Sequence, residues 1–339
     1  VTDDIFDQPE EPAFDRWGRY LLVDPFTYTR RPWTRVTTFA KSIVDTFALN
    51  QWQQRMAVKG MSIRPDLVAM AATLDVKKDR ERLNQLVDQA KDAAGHKIAA
   101  NQGTAIHGFT ENLDRGLISL DAVPAPQRPS IEAYEAKLKE AGISILPDMI
   151  ERIICVPSYS VAGRLDRAVQ EASGDRVILD VKSGSSLQYN KLEIAIQLSM
   201  YAHGVNIAGV YDQRHERWVP VPKVRTNYAI VAHIPAGSNT CELIRVNIEQ
   251  GWQDASLSET VRQRRKEASK LFTPYEAPEG PQENALPEVH SVGWEARFRS
   301  VTTKQEASSL YQEAVAVMGP RSKELQHLVD LALETLGNI

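Results

Sequence analysis

Apolar and polar positions along the chain follow two periods, and the change between them organises it. Between residues 35 and 61, Phe39, Ile43, Phe47 and Trp52 recur at helical spacing, with Thr37 and Thr38 as capping candidates. Helical patterns continue over 65–74, 79–93 and 94–116. The Pro-rich SLDAVPAPQRPS then reads as a loop, and a helix over 130–141 ends at Gly142, a C-cap signal. From Ile145 the period shortens to two. Three strands ending near Lys182 are predicted, followed by a helix over 190–205 and an excursion, YDQRHERWVPVPKV. Strands over 226–234 and 241–246 lead into a long helix over 247–271. This order of helices, three strands, helix and two strands predicts an α/β sheet architecture.

The ends of the chain read differently. Residues 1–30 lack a period and predict an irregular acidic arm, leaving 31–272 as the main domain. FTPYEAPEGPQENALPE marks 273–288 as a linker by its Pro and Gly content. Residues 289–339 predict a small module of two helices. Thr303 and Glu306 form a capping box there, and Pro320 marks a helix start.

Composition narrows the function classes. With 339 residues, 42% hydrophobic and 25% charged, the chain can bury a full core. No apolar run reaches membrane-spanning length and VTDDIFDQPEEPAFDRW is unlike a leader peptide, so a cytoplasmic protein is expected. Cys155 and Cys241 alone cannot build a four-thiolate zinc or iron–sulfur site, and buried free thiols are expected. A net charge of −4 speaks against nucleic acid, but FDRWGRYLL, TRRPWTR and RQRRKEASK are locally basic. Composition therefore leaves the partner open. Phosphate-loop, dinucleotide, GxSxG and HExxH signatures are absent from the sequence.

The chemistry concentrates between Glu151 and Tyr201. Asp166 and Asp180 interrupt apolar strands, and alternation in VILDVK puts Asp180 and Lys182 on one face. Glu193, Gln197 and Tyr201 then recur every four residues on one side of a helix. A single Asp-x-Lys triplet more often faces solvent. With a second acid nearby, it suits a magnesium or manganese site, where a lysine can meet a phosphate oxygen or the attacking water. Upstream, NQGTAIHGFTENL places Thr104, His107 and Glu111 on one helix face.

Together the order GTxxH, Glu151, GxxD, DxK and QxxxY resembles the RecB-like branch of the PD-(D/E)xK nuclease superfamily. That branch includes bacterial recombination nucleases, CRISPR-adaptation nucleases and phage exonucleases. The likeness runs from Gly103 to Tyr201, and more loosely to PWTRVTTFAK. It implies a restriction-endonuclease-like core, a central mixed sheet flanked by helices. It further implies that His107, Asp166, Asp180 and the Val181 carbonyl ligate Mg2+ or Mn2+, with Glu151 as an additional acid and Lys182 as the catalytic lysine. Gln197 and Tyr201 would brace the site or touch the DNA backbone. Pro147-Asp148 spells the family's "PD", but it precedes Glu151 in a predicted loop and is set aside. With two cysteines the chain lacks the iron–sulfur cluster of some members, which points to the phage-type exonucleases.

Other basic and aromatic residues extend the expectation to DNA. Arg164 and Arg167 flank Asp166 and are phosphate-contact candidates, as are Arg262, Arg264, Arg265 and Lys266; for each, a solvated face is the plain alternative. Trp17, Trp33, Trp52 and Trp218 are stacking or packing residues. His203, His215 and His233 have no partner at metal spacing. The expected function is a metal-dependent exonuclease acting on linear duplex ends. An endonuclease with the same site and a catalytically inactive binding module are the alternatives. A single-strand annealing protein is the partner expected for the C-terminal module. A ring-forming homo-oligomer is compatible with the reading, although nothing in the sequence specifies an interface.

Overall fold

The computed structural model describes residues 12–275, 291–320 and 322–337. The first eleven residues of the expected acidic arm and most of the linker (276–288) lie outside them. The chain opens with strands β1 (Tyr20–Val23) and β2 (Arg30–Arg35), followed by helices α1 (Val36–Ala40), α2 (Phe47–Ile63) and α3 (Pro65–Ala71). Helices α4 (Arg80–Ala93), α5 (His96–Asp114) and α6 (Arg128–Glu140) precede five strands. These are β3 (Ser144–Ile145), β4 (Ile153–Val156), β5 (Val161–Arg164), β6 (Arg167–Gln170) and β7 (Arg176–Lys182). Helix α7 (Lys191–Ala208) leads to β8 (Val210–Asp212), β9 (Arg217–Val219), β10 (Tyr228–His233), β11 (Glu242–Asn247) and α8 (Ile248–Glu267). Beyond Leu271 a second compact unit contains α9 (Ser291–Arg299), α10 (Lys304–Met318) and α11 (Lys323–Gly337).

Two sheets of the first unit pack on α7. The five-stranded sheet has the order β11-β10-β7-β6-β3, with β7 and β10 parallel and its other pairs antiparallel. The four-stranded sheet has the order β1-β2-β5-β4, with β2 and β5 parallel. Helix α7 lies against β4 and β5 of one and β7 and β10 of the other, with α1 and α8 beside it. It is therefore apolar nearly all round, as a core helix must be. Strand β7 shows the period-two logic. Val177, Leu179 and Val181 enter a core with Ile106 of α5 and Tyr134 of α6, while Ile178 enters the α7 core. Asp180 shares the Ile178 side by alternation.

The α/β architecture agrees with the sequence, but several boundaries move. The apolar run after Glu151 is divided by a turn at Pro157–Tyr159 and again at Leu165-Asp166. Proline has no N–H for a ladder, which explains the first break. At the second the chain leaves the four-stranded sheet and joins the five-stranded one. Asp166 sits at that crossing.

The expected irregular arm contains β1, because Tyr20 and Leu22 face inward beside a fully buried Trp33. The helix expected over 35–61 is interrupted after a short turn at Lys41–Ile43, and Asp45 Oδ1 accepts the Phe47 amide (2.8 Å) to start α2. The C-terminal unit has three described helices rather than two, packed through Phe298, Leu310, Leu325, Leu328 and Leu331. Its Thr303–Glu306 capping box is formed in both directions. Helix α11 begins at Lys323, three residues after the proline read as its start.

Candidate active site

The sheet crossing, the end of β7, α5 and α7 meet around one cluster of acids. Asp166 is tied into the backbone on both sides. Its carbonyl accepts the Glu151 amide (2.8 Å), and its Oδ2 accepts the Val181 amide (2.9 Å). The same Oδ2 lies 3.6 Å from His107 Nδ1, so α5 brings the imidazole opposite the crossing. Burial, opposed by Asp166, holds the His107 pKa below its ordinary value.

Asp180 is fully buried. Its Oδ1 accepts a 3.4 Å hydrogen bond from Gln197 Nε2, and its Oδ2 stands 2.6 Å from Lys182 Nζ. Burial, with Asp166 next in effect, raises the Asp180 pKa. Burial works against the Lys182 ammonium, yet Asp180 and Asp166 together hold its pKa above the ordinary value. Gln197 ties the group together. Its Nε2 also donates to the Tyr201 hydroxyl (3.1 Å), and its Oε1 accepts from Lys182 Nζ (3.4 Å). The four-residue spacing on α7 makes that chain of contacts possible.

Glu151 adopts a left-handed conformation (φ 54°), one of five described non-glycine residues with positive φ. Burial, then Asp166 and Glu111, pushes its pKa up to about 8, with Arg164 Nη1 3.9 Å away. A strained backbone that carries a crowded carboxylate is a common mark of a functional position.

Two motif glycines are explained by close packing. A Cβ at Gly163 would come 2.9 Å from both the Tyr201 ring and Val36. A Cβ at Gly103 would come 2.6 Å from Ser183 Oγ. Beside Gly103, a cleft of about 560 Å3 opens between α5 and the turn after β7, lined by Thr104, His107, Ser183 and Ser185 among others.

Several sequence expectations need correction. Arg167 is not a phosphate contact. It is fully buried, paired with Asp114 and hydrogen-bonded to Tyr134 Oη (2.8 Å), and Tyr134 Oη donates to Asp114 Oδ2 (2.9 Å). Arg262 also points inward, over the Phe39 ring (5.3 Å) and onto Thr34 Oγ1 (2.9 Å). Arg265 is exposed on α8, and Arg164 is half-buried beside Glu151. Gln197 and Tyr201 are buried, so of their two expected roles only bracing fits; contact with a DNA backbone does not. Asp148 lies in a short turn, and its carbonyl accepts Arg152 Nε (2.9 Å). Asp114 and Tyr134, the partners that bury Arg167, were not singled out from the sequence. The only available signal was Asp114 lying two turns after His107 on the same helix face.

The donor set suits a hard divalent cation. Carboxylate oxygens with one imidazole are acceptable ligands for an ion that retains several waters. Apart from its ion pair with Lys182, buried Asp180 Oδ2 has no hydrogen-bond partner, the kind of acceptor a cation would satisfy. Among the described residues, no three His, Cys, Asp or Glu side chains already form a ligand group. Lys182 instead neutralises Asp180.

A family model described as the PD-(D/E)XK nuclease superfamily matches residues 67–285, more than half of the chain. No curated protein matches it.

Proposed function

The chain belongs to the PD-(D/E)XK nuclease superfamily, and from that premise we propose that it is a metal-dependent exonuclease that hydrolyses DNA from linear duplex ends. The observation that carries the reading is the continuous contact chain Tyr201–Gln197–Asp180–Lys182, set across from Asp166, Glu151 and His107. A binding module that had lost catalysis would have no use for a buried carboxylate held between a lysine and a glutamine. The superfamily typically uses divalent ions such as Mg2+. Here His107, Asp166, Asp180 and the Val181 carbonyl would hold Mg2+ or Mn2+, with Glu151 as the outlying acid. Such an ion supplies Lewis-acid stabilisation and lowers the pKa of bound water.

The chain's own residues define the rest. Hydrolysis joins a water oxygen to phosphorus and breaks the bond to the leaving sugar oxygen, with one proton to be removed from the water. Lys182, whose pKa Asp180 and Asp166 hold above the ordinary value, is placed as an ammonium to stabilise charge on a phosphate oxygen. Gln197 fixes Asp180 and Lys182 at once, and Tyr201 fixes Gln197. Glu151, with its pKa raised to about 8, can exchange a proton with water at the site's edge.

Assignment to the RecB-like, phage-type branch rests on the order of GTxxH, GxxD, DxK and QxxxY, and so does the exonuclease mode. No described helix is long and apolar enough to cross a membrane. The reading places the enzyme in the cytoplasm with a single-strand annealing protein as the C-terminal unit's partner. The test compares linear and covalently closed duplex DNA in Mg2+ or Mn2+. Digestion of the linear form alone is expected, and it should be abolished in Asp180→Ala. Cleavage of both forms favours the endonuclease; cleavage of neither, with metal bound, overturns the reading.

A further inference from the structure

The turn from Asp15 to Gly18 closes a tight hairpin between Phe14 and Tyr20, which form an antiparallel bridge. Asp15 Oδ1 accepts the amides of Trp17 (3.0 Å) and Arg19 (2.9 Å), its carbonyl accepts the Gly18 amide (2.9 Å), and its own amide donates to the Arg19 carbonyl (2.9 Å). Gly18 supplies the positive φ (71°) that closes the turn. Arg35 Nε donates to the Gly18 carbonyl (2.6 Å) and holds the turn against β2. All of this rigidity presents an indole to solvent. Trp17 is 65% exposed, whereas Trp33, paired with Tyr20 on the neighbouring strand, is fully buried.

Charge surrounds that ring. The Arg16 guanidinium lies 3.9 Å from the Trp17 ring centre and Arg19 5.0 Å, while Arg35 stands 4.9 Å from Phe14. Asp15 is the one acid within the turn, and it is already paired with Arg19 Nε (2.7 Å). The place in the sheet also matters. Tyr20 of β1 pairs with Trp33, and Arg35 of β2 pairs in parallel with Ala162 of β5. The turn therefore sits at the end of the sheet where β5 delivers Arg164 and then Asp166. An exposed aromatic with arginines around it, on a fixed turn, is how proteins bind single-stranded nucleic acid without sequence preference.

We propose that this turn is a single-stranded DNA platform, in which one nucleobase stacks on Trp17 and Arg16, Arg19 and Arg35 take the adjoining phosphates. The nuclease reading supplies the identity of the polymer; the platform's geometry stands apart from the acids. A base entering the stack displaces a guanidinium from the indole face and leaves it free for a phosphate. The site captures the strand that leads to or away from Asp166.

The test uses the full chain in EDTA, so that binding is read without cleavage. Fluorescence anisotropy with a short labelled oligothymidylate should show affinity about tenfold weaker for Trp17→Ala than for the wild type, with most of it retained in Trp17→Phe. Trp17→Phe should also lose part of the tryptophan quenching seen on binding, and Arg16→Ala should flatten the salt dependence. Unchanged oligothymidylate affinity in Trp17→Ala overturns the proposal, as does a loss confined to blunt duplex. Cleavage in Mg2+ is measured separately. A chain that binds through Trp17 yet never cleaves retires the nuclease reading alone, and one that cleaves normally with Trp17 dispensable for binding retires this one alone.

Discussion

Lys182 Nζ stands 2.6 Å from Asp180 Oδ2, and apart from that ion pair the buried oxygen has no hydrogen-bond partner. The lysine thus balances the aspartate's charge without saturating it. A divalent cation and the ammonium compete for the same oxygen. Lys182→Met should therefore bind Mn2+ at least as tightly as the wild type in calorimetric titration, while Mg2+-dependent cleavage falls by about 10²–10³-fold. Asp180→Asn should lose both. Wild-type cleavage by Lys182→Met would remove the lysine from the mechanism.

Arg167 follows Asp166 directly but serves the fold. Its guanidinium ties β6 to Asp114 at the end of α5 and to Tyr134 of α6, all buried. This places α5, and with it His107, opposite Asp166. Removing one partner strands a buried charge, so Arg167→Ala should lose about 3–5 kcal/mol in urea unfolding. Replacing the group together (Arg167→Met, Asp114→Leu and Tyr134→Phe) should cost less than that single loss. If Arg167→Ala keeps its stability and only DNA affinity drops, the buried role is wrong.

Glu151 combines a left-handed backbone with a pKa pushed up to about 8. A carboxyl whose pKa is higher folded than unfolded disfavours its charged form in the fold. Its penalty is absent below the unfolded value, grows as pH rises from there, and is complete above about 8. In EDTA, Glu151→Gln should thus melt higher than the wild type at pH 9 (~1 kcal/mol or more), with the gap closing towards pH 4. Glu151→Gly should add a further, pH-independent gain of roughly 1 kcal/mol by relieving the backbone. Both variants should lose activity. A gap that does not change with pH would show that the charge carries no penalty.

The order of elements, and the meeting of Asp180 with Lys182 and of Gln197 with Tyr201, were readable because both rest on local pattern. Alternation in β7 put Asp180 and Lys182 on one face, and a four-residue period lined up Gln197 with Tyr201. The failures share a cause as well. Arg167 and Arg262 carry surface-type side chains, and nothing local says that Asp114 or Phe39 awaits them across tens to hundreds of residues. The β1–β2 hairpin was missed because four buried or half-buried residues are too short a pattern to outweigh acidic surroundings. The strand break at Asp166 is a tertiary event, since the chain changes sheets there.

Gly103 and Gly163 both stand where a methyl group would collide, but with different neighbours, and the difference decides the outcome of alanine substitution. At Gly163 the new Cβ would meet the Tyr201 ring and Val36 at 2.9 Å, both packed in the α7 core. Neither can swing aside, so Gly163→Ala should cost about 1–3 kcal/mol. Pushing Tyr201 also drags on Gln197 and hence on Asp180 and Lys182, so cleavage should fall further than the loss of stability accounts for. At Gly103 the collision is with Ser183 Oγ, the end of a side chain free to take another rotamer. Gly103 lies within α5, where alanine is favoured over glycine by about 1 kcal/mol. Gly103→Ala should therefore be neutral or stabilising, and Gly103→Ala with Ser183→Ala clearly stabilising, by up to about 1 kcal/mol in thermal melts. A large loss for Gly103→Ala, not rescued by Ser183→Ala, would mean that the cleft between α5 and β7 needs the bare backbone itself.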